Sequence, residues 1–281
     1  MKNKVFLAIG LVLAVSVILL VVSKIVTTNQ SNTPRPESNA LKVTNASKEE
    51  VEMFNAASKY AEAGDLLSAK DTYRKLMGKF PGSGLTEKAQ GALENMNIRI
   101  MTSSISTPDS ISYEVQKGDT LARIAKKFFT TQDLIMRSNN LKNARVVTLG
   151  RKLKVHNEKM SIVVDKSMNI LTLKSGERII KTYRAATGIN NCTPVGSFKI
   201  INKIIDPPWY TAGGVIPPDS PKHILGSRWL GLSAEGYGIH GTTEPQSIGN
   251  QVTSGCVRMK NSDVEELYSL VPEGTEVVIV D

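Results

Sequence analysis

The chain is poor in cysteine, histidine and aromatic residues: it has two cysteines, three histidines and two tryptophans among 281 residues, and its aromatic content is 5%. Each shortage excludes something. Two cysteines, Cys192 and Cys256, cannot build a disulfide-dense secreted scaffold, although one structural bridge between them stays open as a reading. No C-x-x-C or H-x-x-x-H pairing links Cys192, Cys256, His156, His223 and His240, so neither a metal centre nor a cofactor is expected. Negative charge is also short, with 26 Asp and Glu against 35 Lys and Arg and a net charge of +9. Such a balance suits an anionic surrounding. No nucleic-acid recognition motif accompanies it, so anionic wall polymer or lipid head groups fit better, and a generally solvated basic surface is the plainer alternative.

One long apolar run is present. Residues 5–22, VFLAIGLVLAVSVILLVV, carry no charge and lie between Lys2 and Lys4 on one side and Lys24 on the other. An apolar helix needs ~17–25 residues to cross a bilayer, so residues 1–25 read as a membrane anchor. No A-x-A-like site and no lipoprotein cysteine follows, which favours an uncleaved anchor, with cleavage and secretion as the alternative. The two leading lysines hold the N-terminus inside, which puts the rest of the chain in the cell envelope, outside the cytoplasm.

Residues 26–47 are polar with two prolines and read as a linker. From 48 to 101, apolar residues such as Val51, Phe54 and Ala57, then Leu67, Tyr73 and Leu76, recur at helical spacing, with breaks at AGD and FPGSG. This segment resembles a single tetratricopeptide unit. A helical hairpin is expected there, either as a plain spacer or as a surface for a protein partner. Residues 112–155 alternate at both ends and show helical spacing between, which gives a strand, two helices and a closing strand, with Thr120 as an N-cap. Tyr113-x-Val115, Gly118-Asp119-Thr120-Leu121, Ile124-Ala125, Asn139-x-Leu141 and Leu149-Gly150 resemble the LysM family over its whole length. That resemblance implies a βααβ module that binds N-acetylglucosamine-containing glycan strands through the loops flanking its helices, with Gly118, Asp119, Thr120 and Leu121 as candidate contacts.

Beyond Met160 the texture turns to β. Short runs such as SIVVDK, NILTLK, GSFKII and TEVVIV argue for a mainly β sandwich or barrel-like C-terminal domain, 160–281, with one late helix in NSDVEELYSLV and a capping box of Ser262 and Glu265. Inside it, His240 and Cys256 stand sixteen residues apart, a gap that a loop and a returning strand can close. A cysteine attacks as its thiolate, and an imidazole is the usual means of making one near neutral pH. Gly241 and Gly255 allow close backbone approach, and Arg258 is placed to hold a carboxylate. A buried cysteine with an unrelated histidine is the bland alternative. Trp229 and Tyr237 either line a substrate groove or pack in the core. His223 reads as exposed, and His156 as part of the linker.

The motifs ATG, TPVGSFKI, DPPWY, IPPDSP, YGIHGT and TSGCVRM resemble the YkuD-type L,D-transpeptidase catalytic domain across 160–281. The resemblance implies Cys256 as nucleophile, His240 as its base, the Gly241 carbonyl as the group orienting the ring, and the amides of Gly255 and Cys256 as oxyanion donors. Many members carry Ser-His-Gly-Cys where this chain has Thr253-Ser254-Gly255-Cys256, so a second histidine is missing and Ser254 supplies no titrating group. The implied activity acts on peptidoglycan stem peptides through a cysteine thioester and forms 3→3 cross-links. L,D-carboxypeptidase activity, attachment of a protein to the wall, and a noncatalytic wall-binding scaffold remain as alternatives.

Overall fold

The computed structural model describes residues 46–144 and 147–281. The anchor expected over 1–25 and nearly all of the 26–47 linker lie outside the described residues, and among those described no helix is long and apolar enough to cross a membrane. The described residues belong to one compact unit.

It begins with three helices, α1 (Lys48–Glu62), α2 (Leu66–Lys79) and α3 (Gly84–Met101), rather than the expected hairpin. The reason is the second break. Pro81 cannot continue a helix and Gly82 takes φ +79°, after which Ser83 accepts from the Thr86 amide and starts a third helix. Ala57, Ala69, Tyr73, Leu76 and Ala89 fill the core between them.

The βααβ module follows as β1 (Ser110–Glu114), α4 (Leu121–Lys127), α5 (Gln132–Ser138) and β2 (Lys152–His156). Its two strands pair antiparallel, and Thr120 caps α4 by accepting from the Arg123 amide. Leu121, Ile124, Ile135, Leu153 and Val155 are its buried core, the positions at which the sequence switches between periods of two and 3.6.

The remaining strands are β3 (Met160–Asp165), β4 (Ile170–Ser175), β5 (Arg178–Gly188), β6 (Gly196–Ile205), β7 (Trp209–Thr211), β8 (Gly214–Ile216), β9 (Arg228–Leu232), β10 (Gly238–His240), β11 (Gln251–Thr253), β12 (Val257–Met259) and β13 (Glu276–Val280). Nine of them form one sheet, ordered β11-β5-β12-β10-β9-β6-β13-β3-β4, and a β4–β5 pairing closes it. Closure works because two strands are long. The first part of β5 pairs with β4 and its end with β12 and β11, while β6 runs from β13 to β9. A sheet closed in this way buries alternate side chains of each strand, and Ile162, Val164, Leu171, Leu173, Leu230, Ile239 and Val277 are nearly inaccessible. Helix α6 (Asn261–Leu270) packs Val264, Leu267 and Leu270 into that core. Its N-cap position is Lys260 with no side-chain cap bond, so the expected Ser262 capping box is not formed and Ser262 instead bonds to Asp263.

The three parts are joined by specific bonds. Asn97 of α3 donates to the Ile180 carbonyl (3.0 Å) and Glu94 accepts from the Thr182 amide (3.2 Å), satisfying groups on the edge of β5 that no strand covers. Lys154 of β2 donates to the carbonyls of Ile100, Met101 and Ser103 at the end of α3. Leu134 of α5 belongs to the core of the β domain, and Arg137 bonds Ser269.

Candidate active site

Cys256 immediately precedes β12, and His240 is the last residue of β10. These strands pair in parallel, with Ile239 opposite Val257 and His240 opposite Arg258. On the other side of β10, His240 stands opposite Trp229. Since side chains two apart on a strand share a face, Cys256, Arg258, His240 and Trp229 project from the same side of the sheet. The spacing of sixteen residues is closed by this parallel pairing.

The imidazole is held from two directions. Its Nδ1 donates to the Gly241 carbonyl at 2.7 Å, and its ring stacks on Trp229 with centroids 5.9 Å apart and planes 19° apart. With the Nδ1 proton committed to that carbonyl, Nε2 of the neutral ring carries the lone pair. The Trp229 indole is itself fixed by donation from Nε1 to Asn202 Oδ1 at 3.1 Å, and its six-membered ring fills the space a side chain at Gly238 would need. Gly241 is closely backed by Asn261, whose Oδ1 accepts from the amides of Thr242 (2.9 Å) and Ser227 (3.3 Å).

The turn that carries the thiol depends on Gly255, at φ +122°, where a Cβ would meet the Tyr237 ring at 2.6 Å. Buried Thr253 clamps the turn: its hydroxyl donates to the Cys256 carbonyl (2.7 Å) and accepts from the Gly255 amide (3.2 Å). The Gly255 amide is thus engaged, whereas the Cys256 amide makes no hydrogen bond among the described residues. Ser254 is exposed. Both cysteines are free, so no Cys192–Cys256 bridge exists. Cys192 is exposed beside the turn, its sulfur 4.0 Å from the Thr253 carbonyl.

Beside the half-buried thiol, whose S–H lies 3.7 Å from the Gly236 carbonyl, opens a cavity of about 370 Å³. Asn202, Pro207, Trp209, Tyr210 and Trp229 line it, so Trp229 both faces the cleft and backs the imidazole. Tyr237 packs against the core and the Gly255 turn. His223 is buried rather than exposed, and donates from Nε2 to the Pro207 carbonyl at 2.7 Å, bracing the cleft wall.

Electrostatics favour a neutral pair at rest. Burial pushes the Cys256 thiol up, against the Gly238 N–H and the Arg258 cation, which favour the thiolate. Burial lowers His240 to about 4, with its bond to Gly241 opposing and Arg258 adding to the shift. Arg258 itself is buried and paired with Glu244 (2.8 Å) and Ser247 (3.0 Å), so its fork is not directed at solvent, and its Nε has no partner among the described residues.

The histidine shift fixes a pH dependence of stability. Its folded value lies below the unfolded ~6.5, so the unfolded chain takes up the proton first as pH falls, and stability present above ~6.5 is lost toward about 4. His156, also buried rather than lying in an open linker, shifts the same way. It sits between Ser175 and Asp109 in a sealed contact with the β domain. We expect His240 alone to cost about 2 kcal/mol between pH 7 and pH 5, read as a lower urea midpoint at pH 5.

In the βααβ module, Leu121 is fully buried, Thr120 is the α4 cap, and Asp119 accepts from the Tyr113 hydroxyl (2.8 Å) and the Gln116 amide (2.8 Å). Of the four candidate contacts, Gly118 and Thr120 are exposed.

A cysteine and a correctly tautomerised imidazole on one face of a closed β sheet, beside an open cleft, have the makings of a thiol acyl-transfer centre. Residues 159–279 match the YkuD L,D-transpeptidase catalytic domain, and residues 113–156 match the LysM domain. The chain is 38% identical over 176 residues to the protein of Bacillus subtilis named "Putative L,D-transpeptidase YkuD", covering 60% of this chain and 98% of that protein. It is 37% identical over 126 residues to YqjB of the same organism, covering 43% and 70%. A solved L,D-transpeptidase from Mycobacterium smegmatis aligns with a TM-score of 0.38 at 18% identity, covering 48% of this chain and 65% of that one. The chain belongs to the YkuD family of L,D-transpeptidases and carries a LysM domain.

Proposed function

We propose that this enzyme forms 3→3 cross-links between peptidoglycan stem peptides through a thioester on Cys256. The observation that carries the reading is the His240 Nδ1 bond to the Gly241 carbonyl, which leaves Nε2 unprotonated on the face it shares with the thiol. In the first step Nε2 takes the Cys256 proton as the sulfur attacks the carbonyl on the L-centre of the donor's diamino acid. The C–N bond to the terminal D-alanine breaks, and its amine leaves with the proton from His240. In the second, His240 removes a proton from the side-chain amine of an acceptor stem, which displaces the thiol and forms the new amide. One amide is exchanged for another, so no external energy source is required.

The other residues have supporting parts. The Cys256 amide is the oxyanion donor the turn leaves available. Arg258 stabilises the developing thiolate, and the cleft beside Trp229 and Trp209 receives the donor stem. The LysM domain keeps glycan strands near the site and so raises the local concentration of stems. The anchor over 1–25 would hold the enzyme on the outer face of the cytoplasmic membrane, in the cell envelope.

The test is covalent capture. A carbapenem carries an acylating carbonyl without a resolving amine, and the enzyme should gain one drug mass on the peptide containing Cys256. A protein that stays unmodified over hours at millimolar drug would overturn the reading. Asn261→Ala gives a second check: with the Thr242 and Ser227 amides losing their acceptor, the Gly241 carbonyl is less firmly held. Acylation is expected to slow about ten- to a hundredfold, with about 1–3 kcal/mol of stability lost, measured by stopped-flow acylation and urea unfolding.

A further inference from the structure

The positive charge of the chain is unevenly spread. Ten of its 35 lysines and arginines fall within residues 113–156, against three carboxylates, Glu114, Asp119 and Asp133. The fold gathers five of those cations at one end of the LysM domain. The Val115 amide donates to the Arg151 carbonyl (3.0 Å) and the Gly150 amide to the Val115 carbonyl (2.9 Å), so the loop after β1 lies against the approach to β2. Lys117 follows two residues after Val115 on this loop, and Arg151 and Lys152 stand where it meets β2. Arg123 joins them through its bond to the Gly118 carbonyl (2.6 Å), and Lys127 lies over the Tyr113 ring at 4.7 Å.

All five are exposed, and among the described residues none makes an ion pair. Two carboxylates lie at this end. Glu114 stands opposite Lys152 in the β1–β2 register, and Asp119 is occupied by the Gln116 amide and the Tyr113 hydroxyl, with Lys127 and Arg123 nearby. Excess positive charge remains. Five cations with so little internal compensation repel one another and favour a polyanion. Peptidoglycan carries its negative charge on stem-peptide carboxylates, off the sugar backbone, whereas a phosphodiester polymer carries a charge in every backbone repeat and so matches an extended array of cations better.

We propose that this end of the LysM domain binds a phosphodiester-linked polyol polymer of the cell wall. The cations sit on two loops, a helix and the start of a strand rather than converging on a pocket, which fits a ligand with repeating charge better than a single phosphate. Exposed Leu149, in the same loop as Arg151, offers an apolar contact for polyol carbons. The role is separate from acyl transfer: it places the enzyme on a second, anionic component of the wall.

The experiment uses the whole chain and fluorescently labelled polyglycerol phosphate, followed by anisotropy. Saturable binding is expected at about 50 mM NaCl, weakening roughly tenfold by about 200 mM as counterions compete. The triple variant K117E/R151E/K152E is expected to bind at least about tenfold more weakly with an unchanged melting temperature. Should that variant melt early, K117Q/R151Q/K152Q carries the same test with a smaller loss. Absence of binding at low salt would overturn the proposal. So would binding indifferent to both variants, or tighter association with phosphatidylglycerol vesicles than with the polymer, which would mark a membrane surface instead.

Discussion

Replacement of Cys256 by alanine is expected to lower cross-linking on the order of 10³-fold or more, with no acyl-enzyme detectable. On the proposed mechanism the thiol carries the covalent intermediate, and neither nearby candidate nucleophile lines the cleft. Cys192 is exposed with its sulfur 4.0 Å from the Thr253 carbonyl, and Ser254 is an exposed hydroxyl. The fold should be little affected, since the Cys256 sulfur makes only a long contact to the Gly236 carbonyl and an interaction with the Gly238 N–H. Circular dichroism, melting temperature and product analysis on one preparation would separate loss of chemistry from loss of structure. Cys192→Ala, treated in parallel, should retain full turnover.

His240→Gln should cost about 10²- to 10⁴-fold in acylation rate, the range expected for a positioned general base. The pH dependence is the more diagnostic readout. In the parent enzyme the imidazole, lowered to about 4 by burial, is neutral and able to accept a proton at every pH above that value. Its acid limb should therefore lie near 4 rather than near 6.5, and the glutamine variant should lack this limb. The same substitution removes a group that must be kept neutral when folded, so the variant should also lose less stability than the parent between pH 7 and pH 5. A titrating limb retained in the variant would place the base elsewhere.

Much of this was legible in the sequence, for reasons that differ by element. The LysM domain could be read because its core positions, Leu121, Ile124, Leu153 and Val155, follow the helical and strand periods closely and its cap, Thr120, is local. The β domain could be read as β, with sandwich and barrel-like sheet both open, but what decides for closure could not be read. That depends on β5 and β6 each serving two neighbours, a property of strand length and bend rather than of composition. The third helix of the N-terminal segment was signalled by Pro81 and Gly82 yet reads easily as the tail of a hairpin.

At the site, the Cys256–His240 pair and the Gly241 carbonyl were available from motif and spacing. The groups that brace them were not. Asn202 fixes the indole, Asn261 backs Gly241 and His223 supports Pro207, and each lies far along the chain from what it holds, with no pattern to reveal it. Arg258 shows the converse. Two-residue spacing placed it on the face of the thiol, but its partner Glu244 arrives from another loop and occupies its guanidinium. Local spacing fixes the face a side chain takes, while the partner that claims it comes from the tertiary fold.

The most direct test of the central claim is mass spectrometry of products from residues 28–281 incubated with a disaccharide tetrapeptide, beside the Cys256→Ala protein. The account predicts a Cys256-dependent dimer lacking one D-alanine, with the new bond between the two diamino acids. A Cys256-dependent tripeptide with no dimer would contradict transpeptidation in favour of hydrolysis, and an unchanged substrate across several stem types would contradict the assigned chemistry altogether.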